Sequence, residues 1–159
     1  MAHPYPPSTQ IATVFGMGRV PLMPGTLASL AALPIGWWLA VIGGWVTLLA
    51  AAFWVTLLGI WACGRHEKFA GKKDPSECVI DEVAGQWIAL LPVAFMGRLF
   101  DVLVLAATFL LFRVFDILKP WPIYKLQKYS GGLGIMLDDV AAGLAAGVLV
   151  LAGIATKLI

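Results

Sequence analysis

Long apolar segments alternate with short polar ones along most of the chain. The apolar segments lie at about 27–42, 45–63, 83–97, 99–118 and 140–156. Each is longer than an ordinary strand and is bounded by polar residues or by the Gly43-Gly44 turn signal, so the pattern predicts five helices. At about 1.5 Å per residue they would measure roughly 22–30 Å, close to the hydrocarbon core of a bilayer at about 30 Å. We therefore predict an all-α, polytopic membrane bundle of about five helices.

Two of these segments contain a proline away from their ends. Pro34 lies at the centre of the first segment and Pro92 lies within the third. Because proline removes a backbone donor and kinks or ends a helix, we expect the first and third segments to be re-entrant or to span only half of the membrane. The whole chain, residues 1–159, is short enough to form a single membrane-embedded domain.

The composition supports the membrane assignment. The chain is 60% hydrophobic and 13% charged, against roughly 45–50% and about 25% for soluble domains. A net charge of +2 with scattered basic residues argues against a nucleic-acid surface. Cys63 and Cys78 lack a C-x-x-C spacing or a His cluster, so neither a zinc site nor a disulfide framework is indicated.

The basic residues divide unevenly between the two sides of the predicted bundle. If the five helices alternate in direction, the N-terminal segment shares one face with residues 64–82 and 119–139. That face carries Arg19, Arg65, Lys68, Lys72, Lys73, Lys119, Lys125 and Lys128. The opposite face carries only Arg98 and Lys157. Since Lys and Arg are retained in the cytoplasm, we expect these three polar segments to meet at the cytoplasmic surface.

Acidic residues occur where these polar segments join helices. They are Asp81 and Glu82 in "CVIDEVAGQW", Asp116 in "FRVFDILKPWP", and Asp138 and Asp139 in "GGLGIMLDDVAAG". The helix dipole alone would explain acids at one helix start. Adjacent carboxylates repel one another, however, unless a cation lies between them. Oxygen ligands without clustered His or Cys favour Mg²⁺, so we predict that Asp81, Glu82, Asp138 and Asp139 bind Mg²⁺.

Three further charges follow one another along the fourth predicted helix. Arg113, Asp116 and Lys119 are spaced at i, i+3 and i+6, so they project to roughly one side. A buried Arg113–Asp116 pair that satisfies itself is the alternative. Against it, Pro120-Trp121-Pro122 ends the helix directly after Lys119, which leaves an ammonium group free to meet phosphate. We predict catalytic roles for all three residues, with Asp116 as metal ligand, base or nucleophile.

Two glycine-rich stretches lead into the first and last helices. "GMGRVPLMPGTLAS" lacks the third glycine of a dinucleotide fingerprint and the Gly-Lys-Ser/Thr of a phosphate-binding loop. Thr26 and Ser29 lie near the predicted start of the first helix, where free N–H groups either bind an anion or are capped by Thr26. Gly132 and Gly134 precede the last helix, where an ordinary flexible turn is the alternative. We predict that these four residues bind substrate.

Four motifs carry a resemblance to a known family. They are "GMGRVPLMPGTLASLAALP", "IDEVAGQWIAL", "FRVFDILKPWPI" and "GGLGIMLDDVAAG". In this order, over residues 16–147, the chain resembles the phosphatidylglycerophosphatase A family of bacterial inner-membrane lipid phosphatases. The resemblance implies an all-helical, Mg²⁺-dependent enzyme that removes the terminal phosphate of phosphatidylglycerophosphate, giving phosphatidylglycerol and phosphate. It also implies that the five motif acids form the site with Arg113 and Lys119.

An alternative function is transport of a divalent cation or an anion through a membrane pathway at Arg113 and Asp116. A transporter or channel predicts polar residues deep in several helices, yet the chain is uncharged from Trp45 to Cys63. We therefore favour a lipid phosphatase whose site faces the cytoplasm and whose partners are its phospholipid substrate and membrane lipids. The sequence leaves oligomerisation open.

Overall fold

A computed structural model describes residues 5–159, and every regular element in that range is helical. The helices are α1 Pro7–Ala12, α2 Pro24–Ala70, α3 Ile80–Phe95, α4 Val102–Leu118 and α5 Gly132–Ala155, with short 3-10 helices at Met17–Arg19 and Ile123–Lys128. The predicted all-helical class is confirmed. The first two apolar segments both lie in α2, and each of the others lies mainly in one helix.

A break at Gly44 divides α2 into two arms. The backbone there has φ 71° and ψ −175°, far from helical values, and glycine reaches positive φ without a steric penalty. We call residues 24–43 the first arm and residues 45–70 the second arm. The turn predicted at Gly43-Gly44 is confirmed.

The two arms run in opposite directions along α3. Ser29 contacts Glu82 at the start of α3, and the rings of Trp45 and Phe95 pack edge to face at its end, with centroids 5.7 Å apart. Beyond the break, the second arm returns along α3 until it packs near Ile80. The two arms therefore form a helical hairpin that holds α3 along its whole length.

The helix α3 lies at the centre of the molecule, with α2, α4 and α5 around it. Its buried residues Leu90 and Val93 share a core cluster with Val104 of α4 and Val150 of α5. Small residues allow the closest approaches: a side chain at Gly143 would collide with the carbonyl oxygen of residue 85. Such contacts are typical of helices packed in a membrane, where close backbone approach replaces hydrophobic driving force.

Two of the described helices, α2 and α5, are long and apolar enough to cross a membrane, with mean hydropathies of 2.1 and 2.0. The helices α3 and α4 have 16 and 17 residues. Pro34 lies inside the first arm of α2 and Pro92 inside α3, and neither proline ends its helix. Large apolar side chains are exposed around the bundle, among them Leu30, Trp54 and Leu110. An apolar surface this extensive is typical of a protein that associates with a membrane.

The polar segments meet at one end of the bundle, as the charge distribution predicted. The Val79 N–H donates to the Ala12 carbonyl at 3.0 Å, which ties the start of α3 to the N-terminal segment. The helix α4 ends at this same end, where Lys119 forms an ion pair with Asp138 of α5. This common end carries the candidate site.

Candidate functional site

Three carboxylates from three helices meet at this end of the bundle. Glu82 lies in the first turn of α3, Asp116 in the last turn of α4, and Asp139 about two turns into α5. One carboxylate oxygen from each lies within 4.8 Å of the other two. Asp116 and Asp139 are buried, and Glu82 is nearly so. Like charges enclosed this closely require positive charge among them.

Arg113 supplies part of that charge from one turn before Asp116. Its Nη1 forms an ion pair with Asp116 at 2.7 Å and another with Glu82. The same nitrogen lies 3.2 Å from the Ser29 hydroxyl. That hydroxyl is 2.9 Å from both Glu82 Oε2 and the Gly25 carbonyl, so it can donate to either. Arg113 thus joins the first arm, α3 and α4.

Lys119 supplies a second cation from the residue that ends α4. Its backbone is left-handed, with φ 42°, and its ammonium pairs with Asp138 and lies 3.7 Å from Asp116 Oδ1 and 3.9 Å from Asp139 Oδ1. Burial by itself lowers the pKa of Lys119, but the carboxylates of Asp139, Asp138 and Asp116 raise it above its usual value. The ammonium therefore stays protonated across the physiological pH range.

The other two predicted metal ligands point elsewhere. Asp81 Oδ1 accepts the backbone N–H of Glu82 at 3.0 Å, a contact at the start of its own helix. Asp138 accepts Lys119 and, at 3.0 Å, the amide of Gln127. Consecutive helical residues are about 100° apart around the axis, so two adjacent acids cannot face one point equally. Each pair of adjacent acids therefore contributes only one carboxylate, Glu82 or Asp139, to the group of three.

Asp116 was predicted in a catalytic role, and the structure brings it into the same carboxylate group as Glu82 and Asp139. Its pairing with Arg113, the alternative considered from sequence, is present as well. The two interpretations are compatible because a carboxylate has two oxygens: Oδ2 faces Arg113, and Oδ1 faces Lys119.

The predicted substrate-binding residues lie in different settings. Ser29 is buried beside Glu82 and Arg113. The alternative considered for Thr26, that it caps the first helix, is excluded because α2 begins at Pro24 and Met23 occupies the capping position. Proline commonly begins a helix since its missing N–H is not needed there.

The two predicted glycines of the last helix lie against backbone. A side chain at Gly132 would collide with the second arm of α2, where the Gly64 nitrogen would be 2.7 Å away. A side chain at Gly134 would collide with the carbonyl oxygen of Tyr129. Both glycines therefore have a packing reason to be glycine, and substrate contact by either stays a prediction.

Three further residues, none of them predicted from the sequence, lie at the site. Gly25 packs so closely on the Glu82 carboxylate that a side chain there would collide with it. Gln127 binds Asp138. Gln86 lies one turn beyond Glu82, fully buried, and neither polar atom of its amide has a hydrogen-bond partner within residues 5–159. The i, i+4 spacing from Glu82 was the available signal for Gln86.

A protein-family model described as phosphatidylglycerophosphatase A matches residues 10–154. An Escherichia coli K12 protein named "Phosphatidylglycerophosphatase A" is 37% identical over 145 residues, which are 90% of this chain and 81% of the relative. A Haemophilus influenzae protein of the same name is 36% identical over 143 residues, 89% of this chain and 85% of the relative. A Bacteroides thetaiotaomicron protein named "Putative phosphatidylinositol-3-phosphatase" is 40% identical over 141 residues, 84% of each chain. No solved structure matches this chain.

Proposed function

Because the chain belongs to the phosphatidylglycerophosphatase A family, as its four motifs predicted, we propose that it hydrolyses the terminal phosphate monoester of phosphatidylglycerophosphate. The products are phosphatidylglycerol and inorganic phosphate. The observation that carries the proposal is the meeting of Glu82, Asp116 and Asp139 with the cations of Arg113 and Lys119 at one end of the bundle. Phosphoryl transfer needs positioning and positive charge around phosphate oxygens, and this group of residues can supply both.

The carboxylate group fits a magnesium ion. Its donors are all oxygens, as Mg²⁺ prefers, and Asp139 Oδ2 is buried without a hydrogen-bond partner in the described part of the chain. Glu82, Asp116 and Asp139 would hold the ion, while Asp81 and Asp138 would add negative charge beside it. When bound, such an ion neutralises phosphate oxygens and lowers the pKa of an attacking water.

The protein's own groups bind and orient the phosphate. The Lys119 ammonium stabilises negative charge on its oxygens, and Arg113 holds Glu82 and Asp116 in place while presenting its remaining N–H groups. At the start of α2, the N–H groups of Gly25 and Thr26 precede the first helical hydrogen bond and face the same end, so they add donors for an anion. Ser29 belongs to this set of proposed substrate contacts.

The membrane placement extends the proposal. Each arm of α2 is about 30 Å or more long and is able to span a bilayer, and α5 is of similar length. With α3 and α4, at about 24 and 26 Å, the bundle would hold five membrane segments, of which these two are the shortest. The basic loops support a site at the cytoplasmic side of the bacterial inner membrane, where a phosphorylated headgroup would be reached from water.

A transporter is not favoured, because the charged groups cluster at one end and the second arm carries none from Trp45 to Cys63. A second substrate, with a phosphorylated inositol headgroup, is suggested by the Bacteroides relative, which is named "Putative phosphatidylinositol-3-phosphatase". Phosphatidylinositol 3-phosphate is also a lipid phosphate monoester, so the same site chemistry would apply to it.

The test is phosphate release from phosphatidylglycerophosphate and, separately, from phosphatidylinositol 3-phosphate, by protein in detergent with Mg²⁺ or with EDTA. We expect the first substrate to be preferred and EDTA to abolish release. Asp139→Asn should lower kcat/KM by about 10²-fold or more, whereas the matched control Asp101→Asn, at the far end of α4, should retain activity. Full activity in EDTA, or in Asp139→Asn, would rule out the proposed metal site.

A further inference from the structure

Two buried polar groups at the candidate site lack hydrogen-bond partners among the residues that the structure describes. They are the side-chain amide of Gln86, on α3, and the Nε–H of Arg113, on α4. Gln86 is fully buried, and the Arg113 side chain is 12% exposed. A leucine or methionine would fill the place of Gln86 without the cost of burying an unpaired amide, so we expect the amide to have a partner.

Gln86 faces a seam of the bundle where α3, α4 and the first arm of α2 meet. The residue before it, Gly85, packs so closely on α4 that a side chain there would collide with the ring of Phe112. The residue after it, Trp87, donates its indole N–H to the Ala32 carbonyl of the first arm at 2.8 Å. Because successive helical residues are about 100° apart, Gln86 points between these two contacts.

Arg113 lies in the same seam. Its Nη1 contacts Glu82 of α3 and Ser29 of the first arm. Glu82 is one turn before Gln86 on the same helix face, so their Cβ atoms are about 5–6 Å apart. Helical side chains lean toward the start of their helix, which directs the Gln86 amide toward Glu82 and the site. An unpaired acceptor and an unpaired donor therefore share this seam.

The contacts of Arg113 described above leave its guanidinium one degree of freedom. Glu82, Asp116 and Ser29 all meet the same nitrogen, Nη1, so the planar group can still turn about that point. The guanidinium N–H groups form a rigid fork. A second contact, at Nε, would therefore fix the plane and the direction of the N–H groups that remain for phosphate.

We propose that Gln86 is a positioning residue for Arg113. Its amide oxygen accepts the Arg113 Nε–H, directly or through one water, and so aims the guanidinium at the phosphate. The assignment rests on the lipid phosphatase activity proposed above. Because Gln86 acts through Arg113 and does not itself touch the phosphate, loss of its amide should lower kcat and leave KM nearly unchanged.

The first test does not depend on catalysis. In protein that carries isotopically labelled arginine, in detergent with EDTA, the Nε–H signal of Arg113 is the one that disappears in Arg113→Lys. Exchange of this proton with water, measured by nuclear magnetic resonance, should be at least about tenfold faster in Gln86→Met, because a hydrogen bond from a charged group is lost. Equal exchange in wild type and Gln86→Met would overturn the proposal.

Thr108→Val is the matched control for this measurement. It removes another fully buried polar atom, a hydroxyl of α4 that donates to the Val104 carbonyl, and it keeps the shape of the side chain. We expect the exchange rate at Arg113 and the kcat to stay at their wild-type values. Exchange accelerated equally by Thr108→Val would mean that loosened packing, and not the Gln86 amide, exposes the proton, and would also overturn the proposal.

The second test is a double-mutant cycle on phosphate release. Gln86→Met should lower kcat about tenfold in the wild-type background. In Arg113→Lys, which has no Nε–H, the same substitution should have little further effect. Losses that multiply in the double variant would show that Gln86 acts on a group other than Arg113, and would contradict the positioning role.

The two tests separate failure of this proposal from failure of the proposed function. If wild type releases no phosphate yet exchange is faster in Gln86→Met, the lipid phosphatase activity fails and the contact between Gln86 and Arg113 stands. If wild type releases phosphate and the exchange rates are equal, the positioning role alone fails. Should Gln86→Met not fold, Gln86→Leu carries the same expectations.

Discussion

Replacing Lys119 by methionine removes one positive charge from the centre of the site while keeping a side chain of similar length. The ammonium is paired with Asp138 and lies within 4 Å of Asp116 and Asp139. In wild type it offsets their repulsion, and it also competes with any cation that the carboxylates bind. Lys119→Met should therefore destabilise the protein without metal and strengthen its binding of Mg²⁺.

The magnitude follows from burial. Breaking a buried ion pair costs about 3–5 kcal/mol. The Lys119 side chain is 25% exposed, and because water screens part of the interaction we expect about 2 kcal/mol. For a chain of this size that loss lowers Tm by about 4–8 °C. A unit charge about 4 Å from a carboxylate is worth up to about 4 kcal/mol at an effective dielectric of 20, so Mg²⁺ affinity should rise at least about tenfold.

Tryptophan fluorescence during heating measures both effects in detergent. Without Mg²⁺ the Tm of Lys119→Met should lie below that of wild type. Because a ligand that binds the folded state raises Tm, added Mg²⁺ should raise the Tm of Lys119→Met by more than that of wild type, and at lower Mg²⁺ concentrations. Phosphate release should still fall, because Lys119 also stabilises phosphate charge. A smaller Mg²⁺ shift than in wild type would refute this reasoning, since it would mean that Lys119 does not oppose a bound cation.

Three further substitutions test separate parts of the structure. Gly132→Ala places a methyl group against the second arm, so Tm should fall with a loss of about 1–3 kcal/mol; a raised KM at unchanged Tm would show that the predicted substrate contact, rather than packing, requires glycine there. Gly44→Ala forces a side chain into a backbone conformation that is essentially restricted to glycine and should cost about 1–3 kcal/mol in chemical denaturation, and an unchanged stability would contradict the positive φ at the break. Arg113→Lys keeps one positive charge near Glu82 and Asp116 but loses the remaining guanidinium N–H groups proposed to meet phosphate, so kcat/KM should fall by about 10²-fold; wild-type kinetics would exclude that role.

Local signals in the sequence predicted the fold well where one residue decides the outcome. The Gly43-Gly44 pair predicted the break in α2, which lies at Gly44. The Pro120-Trp121-Pro122 run predicted the end of α4, which follows Leu118. Prolines inside helices were less informative: α2 continues through Pro34, because neighbouring helices and local adjustments compensate for a missing donor.

The carboxylate group was predicted only in part, for a geometric reason. Sequence adjacency suggested that both members of each acidic pair would face a common point, but a helix separates neighbours by about 100°. Which member faces the centre depends on how α3 and α5 are rotated against α4. That rotation is set by close contacts such as Gly85 with Phe112, which a single sequence does not reveal.

The same limit applies to Gly25. Its glycine-rich stretch indicated flexible backbone, and the contact between Gly25 and the Glu82 carboxylate arises only when the first arm packs on α3. The residues that carry charge were therefore identifiable from their types and positions, whereas those that shape the site by their small size were not.

Binding of Mn²⁺ as a substitute for Mg²⁺, measured by electron paramagnetic resonance, tests the central claim most directly. The claim is that Glu82, Asp116 and Asp139 form the cation site. Asp116→Asn should weaken Mn²⁺ binding at least about tenfold, and Asp138→Asn, which alters a carboxylate paired with Lys119, should weaken it much less. Equal binding by wild type and Asp116→Asn, or a larger loss in Asp138→Asn, would contradict the claim.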